Sequence, residues 1–571
     1  MELAQAFLAP QTTMHRQYEA LRAYYVEGVP AAEAAGRFGY TVGSFHQLAH
    51  QFRNNPKRQF FIDNPRPGVK TEETVQETII ALRKQNLSIY DISRALKKES
   101  IQRTPTAIAK LLKEQGFAKL PRRADEELPE CIKPIQADRA DMRALSLQPR
   151  TVETKFGGLF LFLPALVEMG FNRVIGHCGL PGTKMVPAAH ALRSLLALKL
   201  QSNRRHTHVM SAVLDEGLAL FAGLNVIPKR SFLSEYSCRI RPACYPKLMR
   251  HWFDAMTRLG LVHGSSFDLD FHTIPFHGED ALVEKHYVSK RSRRQKGILA
   301  FLAQDGDQRF FCYANTDLRK GQQDDEILAF AKYWKQRTGQ LPAELIFDSK
   351  LTTQANLHKL NRQGIQFITL RRRGPKLLEE LARRPAGAWR KIELSGVSRI
   401  YRTPRILDQR ITLDGYEGSI RQIAVMDLGH EQPTLLLTNQ LQRSATKLLE
   451  RYARRMLIEN NIEDGVNFFH MDSLSSAVAL KVNCDVQLTL MASSLYRYLA
   501  QQIGHGYEAA KSAHLFRDFI DATATLVIDH DTIRVQYQKR AHNPLLLAAG
   551  FAQTEVRVPW LGKRLQFVFG G

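Results

Sequence analysis

The sequence predicts a multidomain α+β protein, with tandem N-terminal helix-turn-helix domains, a helical middle domain, and an α/β core that carries an inserted β subdomain. Three observations support this fold class. The chain has 571 residues, more than the roughly 250–300 that one hydrophobic core organises. Two successive N-terminal runs each contain three short amphipathic helices. From about residue 265 the spacing of apolar residues changes from helical to alternating, as in strands.

Residues 1–66 are predicted to form the first helix-turn-helix domain. QYEALRAYYVEG, AAEAAGRFG and TVGSFHQLAHQFR have the pattern of helices, with Gly28 and Gly39 in the turns and Thr41 as the N-cap of the third. In such a unit the last helix enters the major groove of DNA. We therefore expect three of its polar residues to contact DNA, namely Ser44, His46 and Gln47. The alternative is a plain three-helix bundle without a role in DNA binding.

Residues 67–120 repeat this arrangement as a second helix-turn-helix domain. TVQETIIALRKQN is followed by SIYDISRALKKES, in which Ser88 and Asp91 have the spacing of an N-terminal cap. TPTAIAKLLKEQG then starts with Thr104 and Pro105, an N-cap followed by a first-turn proline. Because two tethered modules bind DNA more tightly than one, the repeat favours a DNA-binding function.

The next two segments differ in composition. Residues 121–150 are charged and contain several prolines, which indicates an interdomain linker. Residues 151–263 carry apolar residues at helical spacing, as in AAHALRSLLALKLQS, and we expect a helical domain there. Within it LNVIPKRSFLSEYSCRIR has some features of a further helix-turn-helix element, although core packing is the preferred interpretation.

Residues 264–374 are predicted to form the first part of a ribonuclease-H-like core. Three strands (SSFDLDFHTI, KGILAFLAQD, RFFCYANT) precede the helix DDEILAFAKYWKQR, the strand AELIFDS, the helix TTQANLHKLNRQG and the strand IQFITLRRRG. A β-rich insertion is expected at 375–440, where AWRKIEL, QRITL, SIRQIAVMDL and PTLLLTN are separated by turn residues. The second part of the core occupies 441–500, and residues 501–571 form a C-terminal α/β segment.

The chain is strongly basic. Its 80 Lys and Arg residues exceed its 56 Asp and Glu residues, and the net charge of +24 favours a polyanionic partner, above all nucleic acid. The longest apolar run, GLFLFLPALVEMG, is shorter than the roughly 20 residues of a membrane helix, and the N-terminus lacks the pattern of a signal peptide. Six scattered cysteines without a Cys-x-x-Cys pair suit a reducing compartment. We expect a cytoplasmic protein without a membrane partner.

Three acidic residues occupy positions that suit catalysis. Asp270 lies in the first core strand, Asp348 ends the fourth, and Glu459 lies in the helix YARRMLIEN. The first and fourth strands are neighbours in this fold, so both aspartates can meet the glutamate. Such carboxylates bind Mg²⁺ or Mn²⁺, and two of these ions would clamp an in-line attack on a phosphodiester. At about 100° per residue, Tyr452, Arg455 and Glu459 share one helix face within about 60°.

These assignments have competing interpretations. Asp268 shares the strand face with Asp270, but the turn-like FHTIPFHG stretch favours Asp270. Glu463 lies one turn beyond Glu459. The second aspartate alternatively caps the end of its strand. The helix stripe alternatively forms a solvated face with an ion pair between Arg455 and Glu459.

These residues resemble the motifs of DDE transposases of bacterial insertion sequences. In one branch of that family the third motif reads Tyr-x2-Arg-x3-Glu-x6-Lys, and Tyr452, Arg455 and Glu459 match its first three members in type and spacing. LIFDSKLTT resembles the motif of the second aspartate, and FDLDFHTIPFHG resembles that of the first. The similarity covers about 265–490 and is strongest at the three motifs.

The resemblance implies an enzyme that cuts transposon ends and joins the freed 3′-hydroxyls to target DNA. Asp270, Asp348 and Glu459 would be catalytic and would bind the implied cofactors, two Mg²⁺ or Mn²⁺ ions, while Tyr452 and Arg455 would position the DNA end. The implied partner is double-stranded DNA, both the terminal inverted repeats and the target. Because two ends are joined in concert, we expect a homodimer in the DNA complex. The implied location is the bacterial cytoplasm, in association with the nucleoid.

Two features depart from the family pattern. The lysine of the third motif corresponds to Val466, so its phosphate contact is absent or comes from another residue, for which Lys481 is the candidate. The long stretch between the second aspartate and the glutamate requires the β-rich insertion and excludes branches of the family with a short spacing.

Two basic clusters lie near the expected active site. The first is SKRSRRQK, with the candidate DNA-binding residues Lys290, Arg291, Arg293 and Arg294. The second is LRRRGPK, with the candidates Arg371, Arg372, Arg373 and Lys376. Phosphate contacts are expected from both clusters, and solvated loops are the alternative. The spacing of His272, His277 and His286 suits no common zinc site, so ordinary histidines are expected.

Two other classes of function stay open at the level of sequence. One is a helix-turn-helix regulator derived from a transposase, which binds DNA but whose catalytic core is inactive. The other is a ribonuclease-H-like nuclease that cuts without joining. The complete set of three acids argues against the regulator, and strand-transfer products would separate the nuclease from a transposase.

Overall fold

The computed structural model is a mixed α/β fold with mixed sheets. It describes residues 10, 12–60, 72–85, 87–118, 120, 137–276, 284–288, 293–318, 321–348, 352–395, 402–429, 431–472 and 479–570. The chain separates into two compact units, Met1–Pro134 and Ile135–Gly571. No helix in these described ranges is long and apolar enough to cross a membrane.

The first unit begins with three helices, α1 (Thr13–Tyr25), α2 (Ala31–Arg37) and α3 (Val42–Asn54). They enclose a small core that includes the fully buried Phe45. The predicted N-cap of α3 is confirmed, because the side chain of Thr41 accepts a hydrogen bond from the backbone N–H of Ser44.

Three more helices with a separate core follow, α4 (Glu72–Lys84), α5 (Ile89–Lys98) and α6 (Pro105–Glu114). Both predicted helix starts are confirmed. Ser88 and Asp91 form a reciprocal capping box at α5, and Thr104 caps α6, whose first residue is Pro105. These local hydrogen bonds satisfy N–H groups that the first turn of a helix leaves unpaired.

The second unit contains fifteen strands and fourteen further α-helices in its described residues. Its helices are α7 (Leu163–Glu168), α8 (Phe171–Gly176), α9 (Ala188–Leu200), α10 (Glu216–Ala222), α11 (Arg230–Arg239), α12 (Cys244–Arg258), α13 (Glu326–Thr338), α14 (Gln354–Arg362), α15 (Pro375–Ala382), α16 (Ala445–Arg454), α17 (Met456–Asn467), α18 (Ala479–Ile503), α19 (Ser512–Leu515) and α20 (Asn543–Ala548). Its strands are β1 (Arg150–Thr154), β2 (Ser266–Pro275), β3 (Lys285–Val288), β4 (Arg293–Asp305), β5 (Phe311–Asn315), β6 (Glu344–Ile346), β7 (Gln366–Leu370), β8 (Arg390–Lys391), β9 (Arg405–Leu413), β10 (Tyr416–Met426), β11 (Thr434–Thr438), β12 (Ala524–Ile528), β13 (Thr532–Tyr537), β14 (Val556–Val558) and β15 (Lys563–Phe569).

The large sheet is built around β2. Its order includes β4-β2-β6-β7, with β5 on β4 and β3 extending the sheet beside it. β2 runs antiparallel to β4 and parallel to β6, and β6 runs parallel to β7. The first and fourth of the predicted core strands, β2 and β6, are therefore direct neighbours.

The strands of the 375–440 insertion continue this sheet instead of forming a separate layer. β11 pairs antiparallel with β7, and β10, β9 and β8 follow in order. The edge of β7 would otherwise present unpaired backbone groups. A second hydrophobic cluster on these strands includes Ile368, Ile423 and Leu436, and it packs against Leu448 of α16. The insertion thereby supports the helix that leads to Glu459.

A second sheet joins distant parts of the chain in the order β1-β12-β13-β15-β14. Its first strand, β1, begins at the end of the predicted linker and occupies the start of a region predicted to be helical, and it pairs antiparallel with β12 of the C-terminal segment. One continuous hydrophobic core unites this unit. Its members come from the helical region, the large sheet and the C-terminal strands, and include Val152, Trp252, Phe267, Tyr496 and Leu565.

Candidate active site around Arg455

The polar face of β2 is the base of the candidate site. Side chains two residues apart on a strand point to the same face, so Asp268, Asp270 and His272 lie in a row. The alternating residues Phe267 and Leu269 are fully buried in the main hydrophobic core. The alternation of the sequence therefore places a line of ionisable groups on one face of β2, between β4 and β6.

Two arginines from the α16–α17 region meet the two aspartates of β2. Arg451 donates to Asp268 at 2.8 Å, and a guanidinium nitrogen of Arg455 lies 3.4 Å from an oxygen of Asp270. Four helical residues advance about 6 Å, and two strand residues advance about 6.6 Å. Because these steps nearly match, the spacing of the two arginines fits the spacing of the two aspartates.

Arg451 belongs to a buried polar network at the start of β6. Its guanidinium also donates to Glu344 at 3.1 Å and to Ser266 at 2.8 Å. Glu344 further accepts hydrogen bonds of 2.8 Å from Gln440 and from Arg443. Burial alone would raise the pKa of Glu344, but these hydrogen bonds and charges lower it. The network fixes α16 against β2 and β6.

Asp268, the competitor of Asp270, is committed to this network. It is only 1% exposed, and burial raises its pKa although Arg451 opposes the shift. Asp270 lies one step further along β2 and faces Arg455 instead. The surroundings of Asp268 are those of a structural residue, and those of Asp270 are the ones that suit a reacting group.

Of the predicted face of Tyr452, Arg455 and Glu459, only Arg455 contacts β2, whereas Tyr452 packs against the second hydrophobic cluster and Glu459 is exposed. Arg455 donates to Glu459 at 2.7 Å, lies over the ring of Tyr452 at 5.7 Å, and is 6% exposed. The ion pair of the alternative interpretation therefore exists, but its arginine is buried rather than solvated. The helix expected to be continuous is divided at Arg455, where α16 ends and α17 begins.

Asp348 lies two residues beyond the end of β6, and its charge acts on both Asp270 and Arg455. Burial raises the pKa of Asp270 to about 6; the charges of Glu459 and Asp348 add to the rise, and Arg455 opposes it. For Arg455, burial lowers the pKa, but the charges of Asp270, Tyr452, Glu459 and Asp348 outweigh it and raise the pKa above its usual value. The three predicted acids thus act on a single guanidinium.

Asp270, Asp348 and Glu459 together offer oxygen ligands of the kind that a metal site requires. Three carboxylates are the kind of ligand that a hard divalent cation such as Mg²⁺ or Mn²⁺ prefers, so the donor type fits. The arrangement with Arg455 bridging two of the acids is an ion-pair cluster. Within the parts of the chain that the structure describes, no three His, Cys, Asp or Glu side chains are already grouped to hold a metal ion. Asp270, Asp348 and Glu459 are the residues that would bind one.

The raised pKa of Asp270 predicts a pH-dependent cost in stability. The folded protein binds this proton more tightly than the unfolded chain, so the stabilising effect is complete below about pH 4 and is lost as the pH rises through about 6. We compare the unfolding free energy of Asp270→Asn with that of the wild type. The difference in favour of the variant is expected to be about 3 kcal/mol larger at about pH 7 than at about pH 3.5. Urea unfolding of both proteins across this range measures the difference. If the unfolding free energies of the two proteins changed with pH in parallel, the prediction would be contradicted.

The other predicted binding residues lie in different surroundings. Ser44, His46 and Gln47 are exposed on α3, although the Ser44 hydroxyl is engaged with Thr41. Arg372, Arg373 and Lys376 are exposed near the end of β7, and Arg371 is half-buried and donates to Gln422 at 2.6 Å. Arg294 is exposed on β4 rather than in a loop. Lys290, Arg291 and the side chain of Arg293 lie outside the described residues.

Two of the three histidines near Asp270, and the position of the third-motif lysine, lie among the described residues. His272 pairs with Asp472 at 2.7 Å, and His286 lies 3.9 Å from Glu284, while His277 lies outside the described residues. Val466 is buried on α17, and the side chain of Lys481 is not described.

Sequence reasoning missed several residues of the site. They are Glu344, Gln440, Arg443, Arg451 and Asp472. Only Arg451 had a recognisable signal, because it precedes Arg455 by one helical turn and so matches the spacing of the two aspartates in FDLDF. A scan of the chain against models of known protein families and a search of curated proteins each found no match.

Proposed function

We propose that this protein is a DDE-type DNA transposase, which cleaves the ends of a mobile element and joins the freed 3′-hydroxyls to target DNA. The observation that carries the proposal is the pairing of Asp270 and Glu459 with Arg455, on which the charge of Asp348 also acts. Asp270 lies in β2, Asp348 follows the neighbouring strand β6, and Glu459 lies in the distant helix α17. Nothing in a protein that only binds DNA requires such an arrangement.

The strand order supports a ribonuclease-H-like core. Counted along the chain, the core strands β2, β4, β5, β6 and β7 lie in the order 3-2-1-4-5, with the second strand antiparallel to the first. This places Asp270 on the central strand and Asp348 just after its parallel neighbour. In this fold the helix after the last core strand carries the third acid, and here the insertion precedes that helix.

The residues around the acids suit the handling of a DNA end. Divalent ions, when bound, would stabilise the charge that develops on the phosphate oxygens. Burial raises the pKa of Tyr452 to about 12, so its hydroxyl stays protonated at neutral pH and is able to donate to a phosphate. Arg455 contributes a fixed positive charge beside Asp270 and Glu459. Tyr452 and Arg455 therefore position the DNA end, and Asp270, Asp348 and Glu459 bind the ions.

The N-terminal unit is the proposed reader of the terminal repeats. It contains two three-helix clusters with separate cores, as expected of tandem helix-turn-helix modules. On α3 the exposed residues Ser44, His46 and Gln47 alternate with the buried Phe45 and Leu48, which leaves one polar face for a major groove. The net charge of +24 suits a DNA partner. Joining two ends in concert requires a dimer on the DNA.

The direct test uses a plasmid that carries the DNA flanking the gene. We expect the purified full-length protein to cut at the element ends with Mg²⁺ or Mn²⁺, to be inactive in EDTA, and to produce joined strand-transfer products. Gel analysis of end-labelled DNA separates these species. Cutting without joining would indicate a nuclease, and binding without cutting would indicate a regulator; either result would reject the proposal.

A further inference from the structure

A cavity of about 520 Å³ lies where the parallel strands β6 and β7 end. Its walls come from the end of β7, the start of α14 and the start of α15. Its lining includes Thr353, Thr369, Arg371, Arg372, Gly374 and Lys376. The crevice beyond the carboxyl ends of parallel strands is a frequent ligand site in α/β proteins. The volume lies within the roughly 300–1,000 Å³ of typical small-molecule sites.

The first residues of two helices line this one cavity. Thr353 caps α14 by accepting from the backbone N–H of Asn356. At α15 the N-cap is Gly374, which supplies no side-chain cap, and Pro375 follows it. The first turn of a helix presents N–H groups without helical acceptors and carries partial positive charge. Two such ends in one cavity favour a bound anion.

The side chains of the cavity are also mainly positive. Arg371, Arg372 and Lys376 line it, against a single acid, Asp324. Arg372 and Lys376 are exposed, whereas Arg371 is held by Gln422 at 2.6 Å, and burial lowers the pKa of Arg371. Arg372 and Lys376 therefore have side chains able to reach a ligand, while Arg371 adds a fixed charge to the wall.

A buried hydroxyl supplies an independent sign of a ligand. Thr369 lines the cavity and is 2% exposed, yet its hydroxyl has no hydrogen-bond partner among the atoms that the structure describes. Buried polar groups are nearly always paired, so an unpaired one at a cavity wall points to a missing partner. A phosphate oxygen is a suitable acceptor for this hydroxyl.

We propose that this cavity binds a backbone phosphate of a DNA strand. The inference rests on the proposed function only for the identity of the strand. Asp348 follows β6 at the same carboxyl edge of the sheet, so a DNA strand bound at the three acids would lie on the same side of the sheet as the cavity. The helix ends, Arg372, Lys376 and the Thr369 hydroxyl would then hold a phosphate of that strand.

The test measures binding of a fluorescein-labelled eight-nucleotide single-stranded DNA to the full-length protein in EDTA. Lys376→Gln is expected to weaken binding about tenfold and to lower the slope of log affinity against log salt by about 0.7, the value for one lost phosphate contact. The matched control is Arg383→Gln. Arg383 is an exposed cation at the end of the same helix, outside this cavity, and its substitution should have little effect.

A second variant separates a specific site from general surface charge. Thr369→Val removes the unpaired hydroxyl at nearly constant volume, so we expect weaker oligonucleotide binding, an unchanged salt slope and a thermal midpoint at least equal to that of the wild type. Equal effects of Lys376→Gln and Arg383→Gln would overturn the proposal. Unchanged binding by Thr369→Val would overturn it as well.

Competition identifies the source of the phosphate. Unlabelled oligonucleotide should displace the probe, whereas ADP and inorganic phosphate should compete only at far higher concentration. Displacement by ADP at the concentration that suffices for the oligonucleotide would indicate a free nucleotide and overturn the DNA assignment. Because no cleavage is measured, a protein that passes these tests but never cuts DNA would keep the phosphate site and lose the proposed function.

Discussion

Glu459→Gln is expected to abolish metal-dependent cleavage of the element ends. The substitution keeps the size of the side chain and its contact with Arg455, but it removes one of the three charges that would bind the ions. A metal site contributes several kcal/mol to the stabilisation of the transition state, so the loss corresponds to a rate at least about a thousandfold lower. Single-turnover cleavage of end-labelled DNA measures the rate, and a gel-shift assay should show unchanged binding.

The matched control for this variant is Glu463→Gln. Glu463 lies one helical turn further along α17, is exposed, and pairs with Lys511 at 3.0 Å rather than with Arg455. The same chemical change at that position should leave cleavage within about twofold of the wild type, because surface pairs contribute little. Equal activities of the two variants would reject Glu459 as a catalytic residue.

Arg451→Met is expected to cause the largest loss of stability. The variant leaves Asp268 and Glu344 buried without the cation that they share. Removal of one partner of a buried ion pair typically costs about 3–5 kcal/mol. All four tryptophans lie in the second unit (Trp252, Trp334, Trp389 and Trp560), so tryptophan fluorescence during urea unfolding reports on this unit alone.

Two further variants test the cause of this loss. Arg454→Met makes the same change at an exposed position on the same helix and should alter the unfolding free energy by less than about 1 kcal/mol. Adding Asp268→Asn to Arg451→Met removes one of the two buried carboxylates that have lost Arg451, and should recover part of the stability. No recovery in the double variant would show that the loss comes from packing and not from charge.

The sequence was informative where the responsible forces are local. The N-caps at Thr41, Ser88 and Thr104 depend on residues three positions apart, and all three form as expected. The shared face of Arg455 and Glu459 follows from helical periodicity, and the structure contains it. Hydrogen bonds and faces of this kind are set within one or two helical turns, so they can be read without knowledge of the fold.

The unpredicted features depend on contacts between distant parts of the chain. The role of Glu344 follows from Arg443 and Arg451, which lie about a hundred residues away. The helix is divided at Arg455, and the side chain of Arg455 reaches Asp270 of β2. The addition of the insertion strands to β7 satisfies an open sheet edge. No local pattern specifies which distant partner will meet these groups.

The pairing of β1 with β12 has a consequence for the order in which the protein is made. Residues Arg150–Thr154 leave the ribosome long before their partners Ala524–Ile528, so β1 must wait through most of translation without its neighbour. The first unit encounters no such delay, because its contacts are all encoded near one another. A nascent chain stalled shortly before Ala524 should therefore carry a finished N-terminal unit beside an unfinished second sheet, a state that chaperones would be expected to shield.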